Sequence, residues 1–98
     1  MSHYTFHADP GHGWLGVPVT EIERLGIAGQ ISSYSYLSRD RLTAYLEEDC
    51  DYSTFARAKG WKIGDCSPDT VSERSYNSDC FIRNLRPWPK ARVYPFNY

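Results

Sequence analysis

Three histidines and one carboxylate lie within the first twelve residues, and imidazole and carboxylate side chains are the ligands of zinc and similar metals. They are His3, His7, Asp9 and His12. A hairpin at Asp9-Pro10-Gly11-His12-Gly13 would bring His7 and His12 close together, whereas a register slip would separate them. The alternative is a structural turn, with His3 and His7 on a solvent-facing strand and Asp9 in an Asx turn. We expect the turn without bound metal, and a metal site of His7, Asp9 and His12 is the alternative.

The string from Asp9 to Gly13 resembles the zinc-binding strand end of the N-acetylmuramoyl-alanine amidases, where a DPGHGG-type string supplies a metal histidine. The resemblance implies His12 as a zinc ligand. That family also uses a later Glu and a later His for the metal and the catalysis, in a chain nearly twice as long. No histidine follows His12 in this sequence.

The three cysteines, Cys50, Cys66 and Cys80, show no CxxC spacing and predict free thiols rather than a disulfide framework or a zinc knuckle. Four carboxylates surround Cys50 in sequence, and their field raises a thiol pKa and suppresses the reactive thiolate. Cys66 and Cys80 have no histidine near them in sequence. We therefore expect no catalytic residues and no cofactor.

The distribution of charged and aromatic residues says more about a binding function than the cysteines do. Residues 47–51 hold four acids and no base, whereas residues 80–98 hold four bases and no acid. The acids predict binding of a basic partner, and pairing with the basic tail is the alternative. Eight Tyr, three Trp and four Phe are more aromatic residues than a 98-residue chain readily buries.

The strongest hairpin signal places tyrosines beside these acids. Residues 31–37 and 42–46 are β-rich and flank the polar loop 38–41. The tyrosines would share the outer face of that hairpin, and the acids follow its second strand directly. The sequence therefore predicts a partner-binding surface of Tyr34, Tyr36, Tyr45, Glu47, Glu48, Asp49 and Asp51.

A chain of 98 residues supports one core and therefore predicts a single domain. The order of its predicted elements indicates the α+β class. Alternation over residues 3–8 and 14–17 predicts a first hairpin. A capping box of Thr20 and Glu23 starts one short helix, Gly26 ends it, and Gly60 ends a second helix capped by Asp51 or Ser53. The result is a ββαββα domain with a four-stranded antiparallel sheet. Residues 1–63 form the core, and residues 64–98 form a loop to residue 79, an edge strand at 80–82 and an extended C-terminal segment that packs on the same domain.

The net charge of −1 offers no general field for nucleic acid or an anionic membrane. The N-terminus lacks the basic region and apolar stretch of a signal peptide, and no apolar run is long enough to span a bilayer. We therefore expect a cytoplasmic protein with no membrane and no direct nucleic-acid partner. The oligomeric state stays open.

Five strings resemble a family of small proteins encoded by phages, plasmids and integrated elements of proteobacteria. They are His7–Leu15, Leu25–Ile27, Ile31–Ser32, Tyr34–Tyr36 and Tyr45–Asp51. The resemblance covers roughly residues 4–58 and implies a genetic setting without an activity. Small proteins of such elements often block host defence by binding. The sequence thus favours a non-enzymatic inhibitor of a host or defence protein with a basic surface, including an anti-CRISPR role. The alternative is a metal-binding module or metal-dependent hydrolase.

Overall fold

The computed structural model describes residues 3–61 and 70–89, which form a six-stranded sheet with both of its faces covered. The strands are β1 (His3–Ala8), β2 (Gly13–Pro18), β3 (Tyr36–Leu37), β4 (Thr43–Glu47), β5 (Thr70–Ser75) and β6 (Arg86–Pro87). The helices are α1 (Val19–Leu25) and α2 (Asp51–Lys59), with short 3-10 helices at Ala28–Gln30 and Phe81–Asn84. Among these described helices, none has the length and apolar character needed to cross a membrane.

The sheet confirms the α+β class but not the predicted strands. Its order is β5-β1-β2-β4-β3-β6, and β5 runs parallel to β1 with Tyr4 opposite Val71. The four-stranded antiparallel sheet is therefore wrong: the sheet is mixed and has two further edge strands. Val71 is the only large apolar residue of β5, so the strand owes its place to backbone pairing with β1 rather than to a hydrophobic pattern. Of the predicted loop 64–79, residues 64–69 lie outside the described residues.

The first hairpin follows the sequence pattern. β1 and β2 pair with Phe6 opposite Leu15 and Ala8 opposite Gly13. The Asp9 carboxylate accepts hydrogen bonds from the backbone N–H groups of Gly11 and His12, both at 2.9 Å, which confirms the Asx turn. A Cβ at Gly13 would overlap the Phe6 ring, so this position favours glycine as long as the ring keeps its place.

Both helices end as predicted, but neither begins with the predicted cap. Gly26 and Gly60 adopt left-handed conformations, with φ of 71° and 78°. β2 leads directly into α1 through Pro18, so Thr20 already lies inside the first turn, and no side chain caps this helix. The capping box is therefore wrong. Asp51 turns away from the start of α2 and binds the segment before β3.

The second hairpin is shorter than predicted. β3 comprises only Tyr36 and Leu37, which pair with Tyr45 and Ala44 of β4. The residues before β3 turn back on themselves because the buried Asp51 carboxylate accepts hydrogen bonds from the Ser32 N–H, the Ser32 hydroxyl and the Ser35 hydroxyl. The Ser35 hydroxyl in turn accepts from the Glu47 N–H at 3.0 Å. Polar contacts with Asp51 thus hold residues 32–35 in a turn, where the sequence predicts a strand.

The main core lies between one face of the sheet and the two helices. Leu15, Ile22, Leu46 and Phe55 have no solvent exposure there. The indole of Trp88 completes this core from the C-terminal side and donates to the Ala28 carbonyl at 3.2 Å. The predicted edge strand at Cys80-Phe81-Ile82 is instead part of a 3-10 helix on the other face. Residues 90–98 of the predicted extended tail lie outside the described residues.

A buried carboxylate, that of Glu21, lies beside the main core and is paired with polar side chains. The Tyr4 hydroxyl and the Lys59 ammonium each donate to the Glu21 carboxylate at 2.6 Å. Burial alone raises the pKa of Glu21, but the hydrogen bonds from Lys59 and Tyr4 outweigh it, and the net shift is downward. The carboxylate therefore stays ionised and paired beneath α1 and α2.

Reductant should leave the melting temperature unchanged. Cys50 is exposed and Cys80 is buried, and both are free thiols, whereas Cys66 lies outside the described residues. A thermal melt with and without dithiothreitol tests this directly. A fall of several degrees would reveal a native disulfide, which is worth about 2–4 kcal/mol.

Candidate functional site

The sheet face opposite the helices carries a second apolar cluster built around an indole. Trp14 is 2% exposed and packs with Cys80 and Ile82. Tyr36, Tyr45, Tyr76 and Leu85 surround this group. The 3-10 helix at 81–84 thus covers a face that the sequence predicts as open and tyrosine-lined.

Asp9 and Arg83 fasten the covering segment to the sheet. The Arg83 guanidinium donates to the two Asp9 carboxylate oxygens at 2.6 and 2.8 Å, and the Cys80 N–H adds a third donor at 3.0 Å. The side chain of Asp9 has no solvent exposure. The Arg83 guanidinium, helped by the backbone donors, holds the pKa of this carboxyl far below its usual range. The same guanidinium lies 5.3 Å from the centre of the Trp14 ring, as in a cation–π contact.

A cleft of about 460 Å³ opens beside this cluster. Its aromatic lining comes from Trp14, Tyr34 and Tyr36, and Tyr34 is 69% exposed. The rest of the lining is polar and consists of His12, Ser33, Glu47, Asp49, Cys50 and Arg83. Because Asp9 neutralises Arg83, the acids set the net charge of the cleft.

Glu47 organises the acidic side of the cleft at the end of β4. One of its carboxylate oxygens accepts from the N–H groups of Asp49 and Cys50, at 3.0 and 3.1 Å. The other oxygen lies 3.9 Å from Nδ1 of His12. His12, Glu47, Glu48 and Asp49 each offer one ligand atom, and these four atoms lie within 4.8 Å of one another. The turn after β4 therefore concentrates carboxylates around one histidine.

The structure divides the predicted tyrosines. Tyr34 and Tyr36 line the cleft, and Tyr36 also packs edge-on against Trp14. Tyr45 lies away from the cleft lining, in contact with His7 and Phe81. Burial, with a contribution from Asp40, raises the pKa of Tyr45. The three tyrosines therefore do not form one open face, because residues of the 3-10 helix cover Tyr45.

The predicted acids are divided as well. Glu48 and Asp49 are exposed, and Glu47 is mostly buried but still lines the cleft. Asp51 is 2% exposed, its carboxylate accepts hydrogen bonds from serines, and it is not among the residues that line the cleft. Trp14, His12 and Arg83 belong to the cleft but not to the predicted surface.

The alternative metal set of His7, Asp9 and His12 is distributed over three environments. Nδ1 of His7 lies 2.9 Å from the Tyr76 hydroxyl, and burial followed by Arg74 lowers its pKa. Asp9 is saturated by Arg83 and backbone donors, and His12 faces Glu47. Of the predicted ligands His7, Asp9 and His12, only His12 belongs to the cluster of possible metal ligands found among the described residues.

The Cys50 thiol lines the cleft but is poorly suited to nucleophilic chemistry. Partial desolvation raises its pKa, and Glu47, Asp51 and Asp49 raise it further. A thiol that stays protonated at neutral pH is a weak nucleophile. The Cys50 thiol is therefore poorly placed to act as a nucleophile in this cleft.

Comparison with protein-family models, with curated proteins and with solved structures finds no significant match.

Proposed function

We propose that this protein is a non-catalytic binding protein whose cleft receives a lysine or arginine side chain from the basic surface of a partner protein. The observation that carries the proposal is the meeting of carboxylates and aromatic rings in one cleft. Carboxylates neutralise a cationic head group, and aromatic rings cover its apolar stem and attract its charge.

The acidic cluster has room for the head group of an organic cation. Its four ligand atoms lie within 4.8 Å of one another, and Nδ1 of His12 is 3.9 Å from the Glu47 carboxylate. Ligands arranged tetrahedrally around zinc at about 2.1 Å are only about 3.4 Å apart, so zinc would require this pair to approach. Carboxylates that accept charge-assisted hydrogen bonds from an ammonium or a guanidinium at about 2.8 Å can lie farther apart.

The exposed ring of Tyr34 supplies the contact area. Tyrosine buries a large surface with little rotamer entropy to lose, which is why it is enriched where binding energy concentrates. Glu48 and Asp49 extend beyond the cleft and would steer a basic partner toward it. In the setting that the sequence resemblance implies, the partner is a host or defence protein and the effect of binding is inhibition, as in an anti-CRISPR protein.

Reversing the charge of Asp49 or Glu48 to lysine should weaken binding of this partner roughly tenfold and reduce its salt dependence. Tyr34→Ala should cost about 2 kcal/mol of binding free energy if the ring is a central anchor. The measurement is affinity capture from proteobacterial host extract with the wild-type chain and the variants in parallel. The Kd of the captured protein is then measured at two salt concentrations.

Glu23→Lys is the matched control, because Glu23 is exposed on α1, outside the cleft, and the net charge changes equally. It should bind as the wild type does. Equal binding by the wild type, Asp49→Lys and Tyr34→Ala, all folded, would refute the cleft as the partner site.

Metal binding is the second candidate function, and the convergence of His12 with three carboxylates favours it. We expect a chelator to leave the melting temperature and partner binding unchanged. Metal analysis of untagged protein tests this. One zinc per chain, lost together with activity in His12→Ala, would replace the first proposal with a metal-dependent one.

A further inference from the structure

A second pocket is basic and shares no lining residue with the acidic cleft. It has a volume of about 330 Å³ and lies between the loop after β3 and the segment that leads into β6. Three arginines line it, together with two neutral polar residues: Arg39, Arg41, Arg86, Ser38 and Asn84. No acid is among its lining residues in the part of the chain that the structure describes.

The acid nearest in sequence is turned into the loop itself. The Asp40 carboxylate accepts from the Ser38 hydroxyl at 2.6 Å and from the Leu42 N–H at 3.0 Å. The Ser38 N–H donates to the Thr43 carbonyl at 2.9 Å, and the Arg41 N–H donates to the Ser38 carbonyl at 3.0 Å. These bonds hold the loop in one conformation and occupy the Asp40 carboxylate, which is not among the residues that line the pocket.

Arg41 occupies a backbone conformation that favours glycine. Its φ is 64°, the only positive value among the described residues other than glycine. This region is unfavourable for a residue with a Cβ, and residues that adopt it concentrate at functional sites. Arg41 adopts it in the loop that lines the pocket.

Arg39 and Arg86 have no ion-pair partner among the described residues, although both line this pocket. Arg86 lies opposite Leu37 in the β3–β6 pair, and Arg39 follows Leu37 by two residues. Like charges gathered in this way repel one another unless an anion lies between them. Guanidinium forks match the oxygen geometry of phosphate.

We propose that this pocket binds a phosphate group. The net charge of −1 provides no extended basic field, so the recognition is local, at one phosphate, rather than along a polyanion. The phosphate is a terminal monoester or a single diester, and the pocket chemistry is shared by both.

The test is a titration of isotope-labelled protein with inorganic phosphate, followed by NMR at constant ionic strength with chloride as the reference salt. Saturable shifts of the backbone amides of residues 38–41 and 84–86 are expected. Arg39→Gln and Arg86→Gln should each weaken binding roughly tenfold. Arg57→Gln, an exposed arginine on α2, is the matched control and should leave binding unchanged.

Two oligonucleotides identify the source of the phosphate. Preference for a 5′-phosphorylated strand over the 5′-hydroxyl strand assigns a monoester, and equal binding of both assigns a backbone diester. No saturable shift with any of these probes, or equal weakening by Arg57→Gln, would overturn the proposal. Asp49→Lys should not change phosphate binding, so this pocket and the acidic cleft are tested separately.

Discussion

Replacing Trp14 with alanine should lower the free energy of unfolding by about 3–5 kcal/mol, the usual cost of deleting a fully buried large aromatic side chain. Trp14 is 2% exposed and lies at the centre of the second cluster, with the Arg83 guanidinium above its ring. Its neighbour Leu15 packs in the main core with Ile22. These two consecutive residues of β2 therefore pack into clusters on opposite faces of the sheet. The loss of Trp14 leaves the second cluster without its largest side chain.

Trp14→Phe separates packing from hydrogen bonding. The indole N–H is buried and has no hydrogen-bond partner among the described residues. A buried donor without a partner is destabilising, so phenylalanine loses contact area but removes an unfavourable group. We expect a loss below about 1.5 kcal/mol, which is the range of well-tolerated apolar replacements.

Chemical denaturation of the wild type and both variants measures these values. Tyr34→Ala is the control, because its ring is 69% exposed and its loss should change stability by less than about 0.5 kcal/mol. Near-wild-type stability of Trp14→Ala would show that the second cluster contributes little to folding.

Asp9→Ala should destabilise the protein by about 3 kcal/mol. It removes the acceptor of Arg83 and leaves the N–H groups of Gly11, His12 and Cys80 without their bonds. Asp79→Ala is the matched control, since Asp79 lies 3.8 Å from the same guanidinium but its side chain is 88% exposed. The free energy of unfolding of this control variant should lie within about 0.5 kcal/mol of the wild-type value.

The contribution of Asp9 should also depend on pH. Its pKa in the folded protein lies far below its usual range, whereas the unfolded chain titrates near about 3.9. The stabilisation is therefore fully present above about pH 5 and is lost as the pH falls below about 4. The stability difference between the wild type and Asp9→Ala should shrink over that acidic range. A difference that stays constant down to about pH 2 would contradict the ion pair as its origin.

Local patterns explain which parts of the fold were predictable. The alternation in β1 and the turn residues that follow it specify the first hairpin without help from the rest of the chain. Gly26 and Gly60 end their helices because few other residues adopt a left-handed backbone at low cost. β5 carries no such signal, because its stability comes from pairing with β1 and its own residues are mostly polar.

The same distinction applies to the site. The exposure of Glu48 and Asp49 was predictable because they follow directly from a strand end. The partial burial of Tyr45 was not, because it depends on the 3-10 helix that contains Phe81, far away in sequence. The partnership of Asp9 with Arg83 spans 74 residues, and no local pattern identifies it.

The parallel pairing of β5 with β1 has a consequence for biosynthesis. β1 acquires its outer neighbour only after residues 70–75 have been synthesised, and Trp88 reaches the Ala28 carbonyl later still. Contacts this distant in sequence slow folding, since a long loop must close before they form. Until these later residues are in place, the edge of β1 is unpaired and the core lacks the Trp88 indole. An unpaired strand edge can pair with a strand of another chain, so late synthesis of β5 prolongs the interval in which the chain can associate.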